Sequence, residues 1–103
     1  MTQFDVVGNP SHSSRLVAPF VTILQSHYLA PIDTTLVCPL YHRRILAPDD
    51  LLFLPLMMQG ELLTLALPLV APVVTARLGQ PIGSLADAEY EIRRALDRLF
   101  TGF

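Results

Sequence analysis

The stretch SLADAEYEIRRALDRLFTGF at residues 84–103 decides the fold class, because it has the form of an amphipathic helix. Ser84 and Asp87 have the spacing of an N-terminal capping pair, so we expect the helix to begin at Ser84. Gly102 can close the last turn in a left-handed conformation. Apolar residues recur every three or four positions and form one stripe, which consists of Leu85, Ala88, Ile92, Ala95, Leu96 and Leu99. The stretch therefore predicts a C-terminal helix with one buried face.

The last residue of the sequence, Phe103, is an aromatic that follows the predicted end of this helix. A chain terminus frays unless something holds it. The ring can fill the core of its own domain, which is the usual place for a large apolar side chain, or it can be offered to a partner. Composition by itself favours the first interpretation, and both stay open at this point.

Upstream of the helix, short apolar segments alternate with turn residues. This pattern predicts an antiparallel sheet with the helix packed on one face or end, in a single domain over residues 1–103. Pro19 places its strand at an edge or a bulge, since proline cannot donate to a ladder. A short helical turn is possible within Tyr41–Asp50. The predicted strands are Gln3–Val7, Val17–Leu24, Thr35–Leu40, a hairpin within Leu51–Ala71 that turns at Gln59-Gly60, and Val70–Leu78.

Composition excludes several classes of protein. The chain is 51% hydrophobic and 16% charged with a net charge of -2, which disfavours a disordered chain and an electrostatic nucleic-acid binder. A single cysteine, Cys38, cannot form an internal disulfide and fits a reducing cytoplasm, and we see no secretory signal. The apolar run Leu51–Ala71 is long enough to suggest a membrane span, but the central Gly60-Glu61 would be costly in lipid.

The residues with chemical potential do not form a familiar catalytic or metal motif. The histidines His12, His27 and His42 lack metal-ligand spacing, so we expect no metal and no cofactor. Cys38 is interpreted as a small core residue. The polar segment Ser11–Arg15 contains a histidine and an arginine that could act as an acid–base pair, and it could equally be a solvated turn.

A set of residues along nearly the whole chain matches the pattern of a known family. The match begins at Gln3-Phe4 and is densest in the C-terminal segment. The matching residues are Gln3-Phe4, Gln25-Ser26, Val37-Cys38-Pro39-Leu40, Gly60-Glu61, Ala71-Pro72-Val73, Gly79, Leu85, Glu89, Ile92, Ala95, Phe100 and Gly102. In these residues the chain resembles the CcdB family of toxins.

This resemblance implies a mainly β (α+β) fold: an SH3-like five-stranded antiparallel sheet or partly open barrel, a small second sheet and a C-terminal α-helix. It implies a cytoplasmic homodimer that is the toxin of a type II toxin–antitoxin system, of the kind used in plasmid maintenance. Such a toxin is not an enzyme. It binds the DNA gyrase A subunit, traps the complex with cleaved DNA, and is neutralised by a CcdA-like antitoxin with an acidic segment. No direct binding to nucleic acid or membrane is implied.

The resemblance also assigns candidate site residues. The family contacts gyrase through a terminal Trp-Gly-Ile, where this chain has Thr101-Gly102-Phe103 and no tryptophan. Phe103 could replace the missing aromatic face, whereas the family counterpart of Phe100 belongs to the core. Arg43 and Arg44 are candidates for docking the acidic segment of the antitoxin.

Two further functions stay open. The loop with His12 and Arg15 is compatible with an endoribonuclease toxin of the related MazF/Kid fold. The absence of the family's tryptophan is compatible with a non-toxic descendant that still binds an antitoxin.

Overall fold

A computed structural model describes residues 2–26, 33–49 and 51–102 of the chain. Within these residues the chain forms seven strands, four short 3-10 helices and one α-helix. The strands are β1 (Asp5–Gly8), β2 (Phe20–Ile23), β3 (Thr34–His42), β4 (Phe53–Met58), β5 (Glu61–Ala66), β6 (Ala71–Val74) and β7 (Gly83–Ser84). The 3-10 helices are His12–Ser14, Leu67–Leu69, Thr75–Arg77 and Ala86–Ala88, and the α-helix α1 is Glu89–Thr101.

The strands form one curled antiparallel sheet, a half-barrel with the strand order β4-β5-β3-β2-β1-β7. The remaining strand, β6, pairs with β3 and lies outside this order. The predicted class, mainly β with one C-terminal helix, is therefore confirmed. The resemblance implied a separate small sheet, whereas in the described residues β6 joins the main sheet through Thr34–Val37 of β3.

The long central strand β3 contains Pro39 and still pairs on both edges. On one edge it pairs with β2. On the other edge its first half pairs with β6 and its last residues, Leu40–His42, pair with β5. Pro39 lies between these two partners, where no neighbouring strand requires its missing N–H. The strand runs two residues beyond the predicted end at Leu40, because its pairing with β5 continues to His42.

The hairpin of β4 and β5 turns where the sequence predicts. Gln59 and Gly60 have φ of 52° and 79°, as the two central residues of a type I′ turn require. Met58 and Glu61 flank the turn and pair with each other. β4 carries Pro55 and forms the outer edge of the sheet, the position in which a strand tolerates proline.

The main core lies between one face of the sheet and α1. Its residues come from both ends of the chain, so the helix closes the domain; they include Phe4, Val6, Cys38, Leu40, Leu63, Leu65, Leu67, Leu85, Ile92 and Ala95. A smaller cluster covers the other face of the sheet and consists of Val7, Val21, Ile23 and Val37. In the described part of the chain, no helix is both long and apolar enough to cross a membrane.

The predicted start of the helix at Ser84 is wrong. Ser84 belongs to β7 and pairs with Asp5 of β1, and this pairing holds its backbone extended. The Ser84 hydroxyl accepts a hydrogen bond from the Ala86 N–H at 3.1 Å. The short 3-10 helix Ala86–Ala88 follows, and α1 begins only at Glu89.

Other boundaries also differ from the predictions. β1 begins at Asp5 because Phe4 has a φ of 70°, which interrupts the extended backbone. β2 and β6 are shorter than predicted. After β3, the N–H groups of Ile45 and Leu46 donate to the His42 carbonyl, which gives a single turn within the predicted segment.

Candidate functional site

The helix α1 presents its outer face and its C-terminal end to solvent. Ile92 and Ala95 are buried against the sheet and fix the orientation of the helix. On the exposed side, Tyr90 near the start is 69% exposed and Phe100 near the end is 73% exposed. Two large aromatic rings therefore project from this helix into solvent, where they are accessible to a partner.

The C-terminal end closes as the sequence predicts. Gly102 adopts the left-handed conformation with a φ of 80°, and its N–H donates to the Arg98 carbonyl at 2.9 Å. The Thr101 hydroxyl donates to the Asp97 carbonyl at 2.5 Å. Thr101 and Gly102 are both exposed. Phe103 lies outside the described residues, so its assignment stays a prediction.

The expectation that Phe100 belongs to the core is wrong. Leu96 and Leu99 are half-buried at the margin of the apolar stripe. Phe100 follows Leu99 by one residue, which rotates its side chain by about 100° and turns it away from the sheet. The helical angle of each residue was the signal that could have identified both Phe100 and Tyr90 as surface aromatics.

The arginines of α1 are partly engaged with neighbours. Arg93 forms an ion pair with Glu89 at 2.7 Å, and its guanidinium lies 5.7 Å from the centre of the Phe4 ring. The guanidinium of Arg94 lies 5.7 Å from the centre of the Tyr90 ring. The exposed face of α1 thus combines aromatic rings with positive charge, a composition that occurs often at protein interfaces.

The candidate antitoxin residues Arg43 and Arg44 lie together in the turn after β3 but differ in exposure. Arg43 is half-buried and donates from Nη2 to the Leu63 carbonyl at 3.3 Å. Its Nε is buried without a hydrogen-bond partner among the described residues. Arg44 is exposed. Of the two, Arg44 has the more accessible charge.

The candidate ribonuclease loop contains the 3-10 helix His12–Ser14. The Nε of Arg15 donates to the Asn9 carbonyl at 2.6 Å, and the Asn9 side chain donates to the Ala18 carbonyl at 2.8 Å. His12 is exposed on the same loop. These bonds give Arg15 a role in holding the loop in place.

The remaining titratable candidates are structural. Cys38 is fully buried and its thiol donates to the Ala66 carbonyl at 3.1 Å. Burial raises the pKa of this thiol far above its ordinary value, which fits the predicted core role. The Nδ1 atom of His42 lies 2.5 Å from a carboxylate oxygen of Glu61. Among the described residues, no group of three or more possible ligands could hold a metal ion. His27, the remaining histidine, lies outside them.

Comparison with known families decides the identity. A family model described as CcdB protein matches residues 3–102 of the chain, including every strand and the whole of α1. The chain belongs to the CcdB family. A search of curated proteins finds no match. Membership in the CcdB family makes this protein a toxin of a toxin–antitoxin pair, and the family poisons gyrase rather than catalysing a reaction.

Proposed function

We propose that this CcdB-family toxin inhibits DNA gyrase by binding the gyrase A subunit with the C-terminal end of α1, and so traps the complex with cleaved DNA. The contact would consist of Thr101, Gly102 and Phe103, together with the exposed ring of Phe100. The observation that carries the proposal is the family match over residues 3–102, which includes the exposed C-terminal end of α1 up to Gly102.

The packing of α1 on the sheet supports a role for its C-terminal end as an anchor. The buried Ile92 and Ala95 hold the helix to the sheet, and the left-handed Gly102 defines how the chain leaves it. A preorganised anchor loses little conformational entropy when it binds. An exposed aromatic such as Phe100 on such a support has the properties of an interface hot spot.

Thr101 stands where the family has tryptophan, and this weakens one part of the expected contact. Loss of an aromatic face over a guanidinium costs about 1–2 kcal/mol at a desolvated site, roughly a tenfold loss of affinity. Phe103 or Phe100 would have to supply the replacement face. The same substitution is the observation that favours the second candidate, a non-toxic protein that still binds an antitoxin.

The test is a DNA cleavage assay with purified gyrase, supercoiled plasmid and ATP. The protein should accumulate linear DNA after denaturation of the complex. Phe100→Ala and removal of Gly102-Phe103 should each lower its potency by about thirtyfold or more, since a hot-spot side chain contributes at least about 2 kcal/mol. Leu16→Ala is the matched control, because Leu16 is an apolar residue of similar exposure, 82% against 73% for Phe100, on a different part of the surface.

The outcomes separate the three functions that the sequence left open. Linear DNA that depends on the C-terminal end supports the gyrase proposal. A folded protein that produces no linear DNA, causes no growth arrest when expressed, and still binds its antitoxin would support the non-toxic alternative. Cleavage of RNA in the absence of gyrase, abolished by His12→Ala, would instead support the ribonuclease.

We further propose that the protein is a cytoplasmic homodimer. We also propose that Arg44, with Arg43, docks the acidic segment of a CcdA-like antitoxin. Exposure of Arg44 supports this part of the proposal. Light scattering coupled to gel filtration should give twice the chain mass of 11.4 kDa. Arg44→Gln should weaken antitoxin binding and reduce its salt dependence, because a charged contact is lost.

A further inference from the structure

A groove of about 370 Å³ runs between the edge strand β4 and the segment that leads into α1. Its walls are largely apolar: Leu54 and Leu56 of β4 lie on one side, and Leu85 and Ala88 lie on the other. The size is within the range of clefts that hold a ligand or a side chain of a partner. The groove lies beside the start of α1, whereas the proposed gyrase contact is at its opposite end.

Two carboxylates border this groove. Asp87 and Glu91 both line it, and they are four positions apart. Both are exposed, and neither forms an ion pair with a described residue. Glu89, in contrast, is neutralised by Arg93 at 2.7 Å. The groove thus combines apolar walls with negative charge that the described residues leave unpaired.

The backbone of β4 offers hydrogen bonds along the same groove. Met58 and Glu61 flank a two-residue turn and therefore exchange backbone hydrogen bonds. Hydrogen-bonded and non-hydrogen-bonded pairs alternate along an antiparallel ladder, so the backbone N–H and carbonyl of Met57 and the carbonyl of Pro55 point away from β5. The Phe53 carbonyl on this edge already accepts from the Asp49 N–H at 2.9 Å. The open edge is therefore short: the N–H and carbonyl of Met57 and the carbonyl of Pro55. Pro55 offers no N–H, which limits pairing to a short segment.

We propose that this groove binds a short extended segment of a partner protein that carries an arginine. The backbone of the segment pairs with Met57, the arginine stem packs on the half-buried Leu56 and Ala88, and its guanidinium meets Asp87 and Glu91. Arginine fits better than lysine because its flat group can bond two carboxylates at once and is less strongly hydrated. This interaction does not require gyrase to be the target of the toxin.

The test uses the full chain labelled with ¹⁵N and the blocked peptide Ac-Ala-Leu-Arg-Leu-Ala-NH₂. Titration should shift the amide signals of Met57, Ala88 and Glu91. Peptides with lysine, glutamine or glutamate in place of arginine should bind progressively more weakly. The double variant Asp87→Asn/Glu91→Gln should weaken binding of the arginine peptide by about tenfold at low salt, as two partly exposed charged contacts are lost.

A matched control removes the same charge elsewhere. Glu89→Gln/Asp97→Asn also removes two carboxylates, both of them on α1, but neither residue lines the groove. This variant should bind the arginine peptide within about twofold of the unmodified protein. The inference is overturned if the control weakens binding as much as the groove variant, if the glutamine peptide binds equally well, if the shifts lie elsewhere, or if the arginine peptide does not bind.

Discussion

The clearest test of the geometry of α1 is the stability of Phe100→Ala. Phe100 is 73% exposed, so roughly a quarter of its side chain is covered by the protein. A phenylalanine buries on the order of 200 Å² when fully enclosed, and a quarter of that, at about 25 cal/mol per Å², amounts to about 1 kcal/mol. Alanine recovers about 0.5 kcal/mol through its higher helix propensity. The expected loss in the free energy of unfolding is therefore about 0.5–1 kcal/mol.

The assay is equilibrium unfolding in urea, followed by far-UV circular dichroism at two protein concentrations. Ile92→Ala provides the comparison, because Ile92 is fully buried in the same helix and its truncation should cost about 2–5 kcal/mol. The losses in the free energy of unfolding should thus differ severalfold, although the two substituted residues lie only about two turns apart on the same helix.

A Phe100→Ala loss of about 3–5 kcal/mol, the range for a core phenylalanine, would refute the placement of this ring on the surface. It would also remove Phe100 from the proposed gyrase contact. A loss that increases with protein concentration would show that a second copy of the chain covers the ring.

Two further predictions concern titratable groups. The Asp49 carboxylate accepts hydrogen bonds from the N–H groups of Leu51, Leu52 and Phe53 at 2.8, 2.9 and 3.0 Å; the bonds from Leu51 and Phe53 lower its pKa most. The ionised Asp49 carboxylate thus stabilises the fold above the ordinary carboxyl pKa, and this stabilisation is lost as the pH falls through the lowered pKa. In thermal melts from pH 7 to pH 2, Asp49→Asn should therefore lose less stability on acidification than the unmodified protein. An equal loss in both proteins would contradict this role. Because burial raises the pKa of Cys38, the native protein should react with a thiol reagent at pH 8 only at the rate of unfolding, and rapid reaction without denaturant would show that the thiol is accessible.

The candidate site was predictable where it depended on local pattern. The left-handed Gly102 and the exposure of Thr101 follow from the sequence form of a helix C-terminus. The expectation that Phe100 lies in the core was wrong because it rested on the family resemblance and ignored the angular position of this residue on the helix. Phe103 lies outside the described residues and remains a prediction. The acidic groove was not predictable, since Asp87 and Met57 are brought together only by the packing of α1 beside β4.

The sequence by itself determined the features that arise from neighbouring residues. The 3.6-residue period of apolar side chains specified α1, and Gln59-Gly60 specified the tight turn of the hairpin, because both depend on local backbone preferences. Tertiary structure decided where these elements end. Ser84 is extended because it pairs with Asp5 at the other end of the chain, and β3 accommodates Pro39 because two different strands share its edge. Such pairings depend on hydrogen bonds between distant residues, which no local pattern encodes.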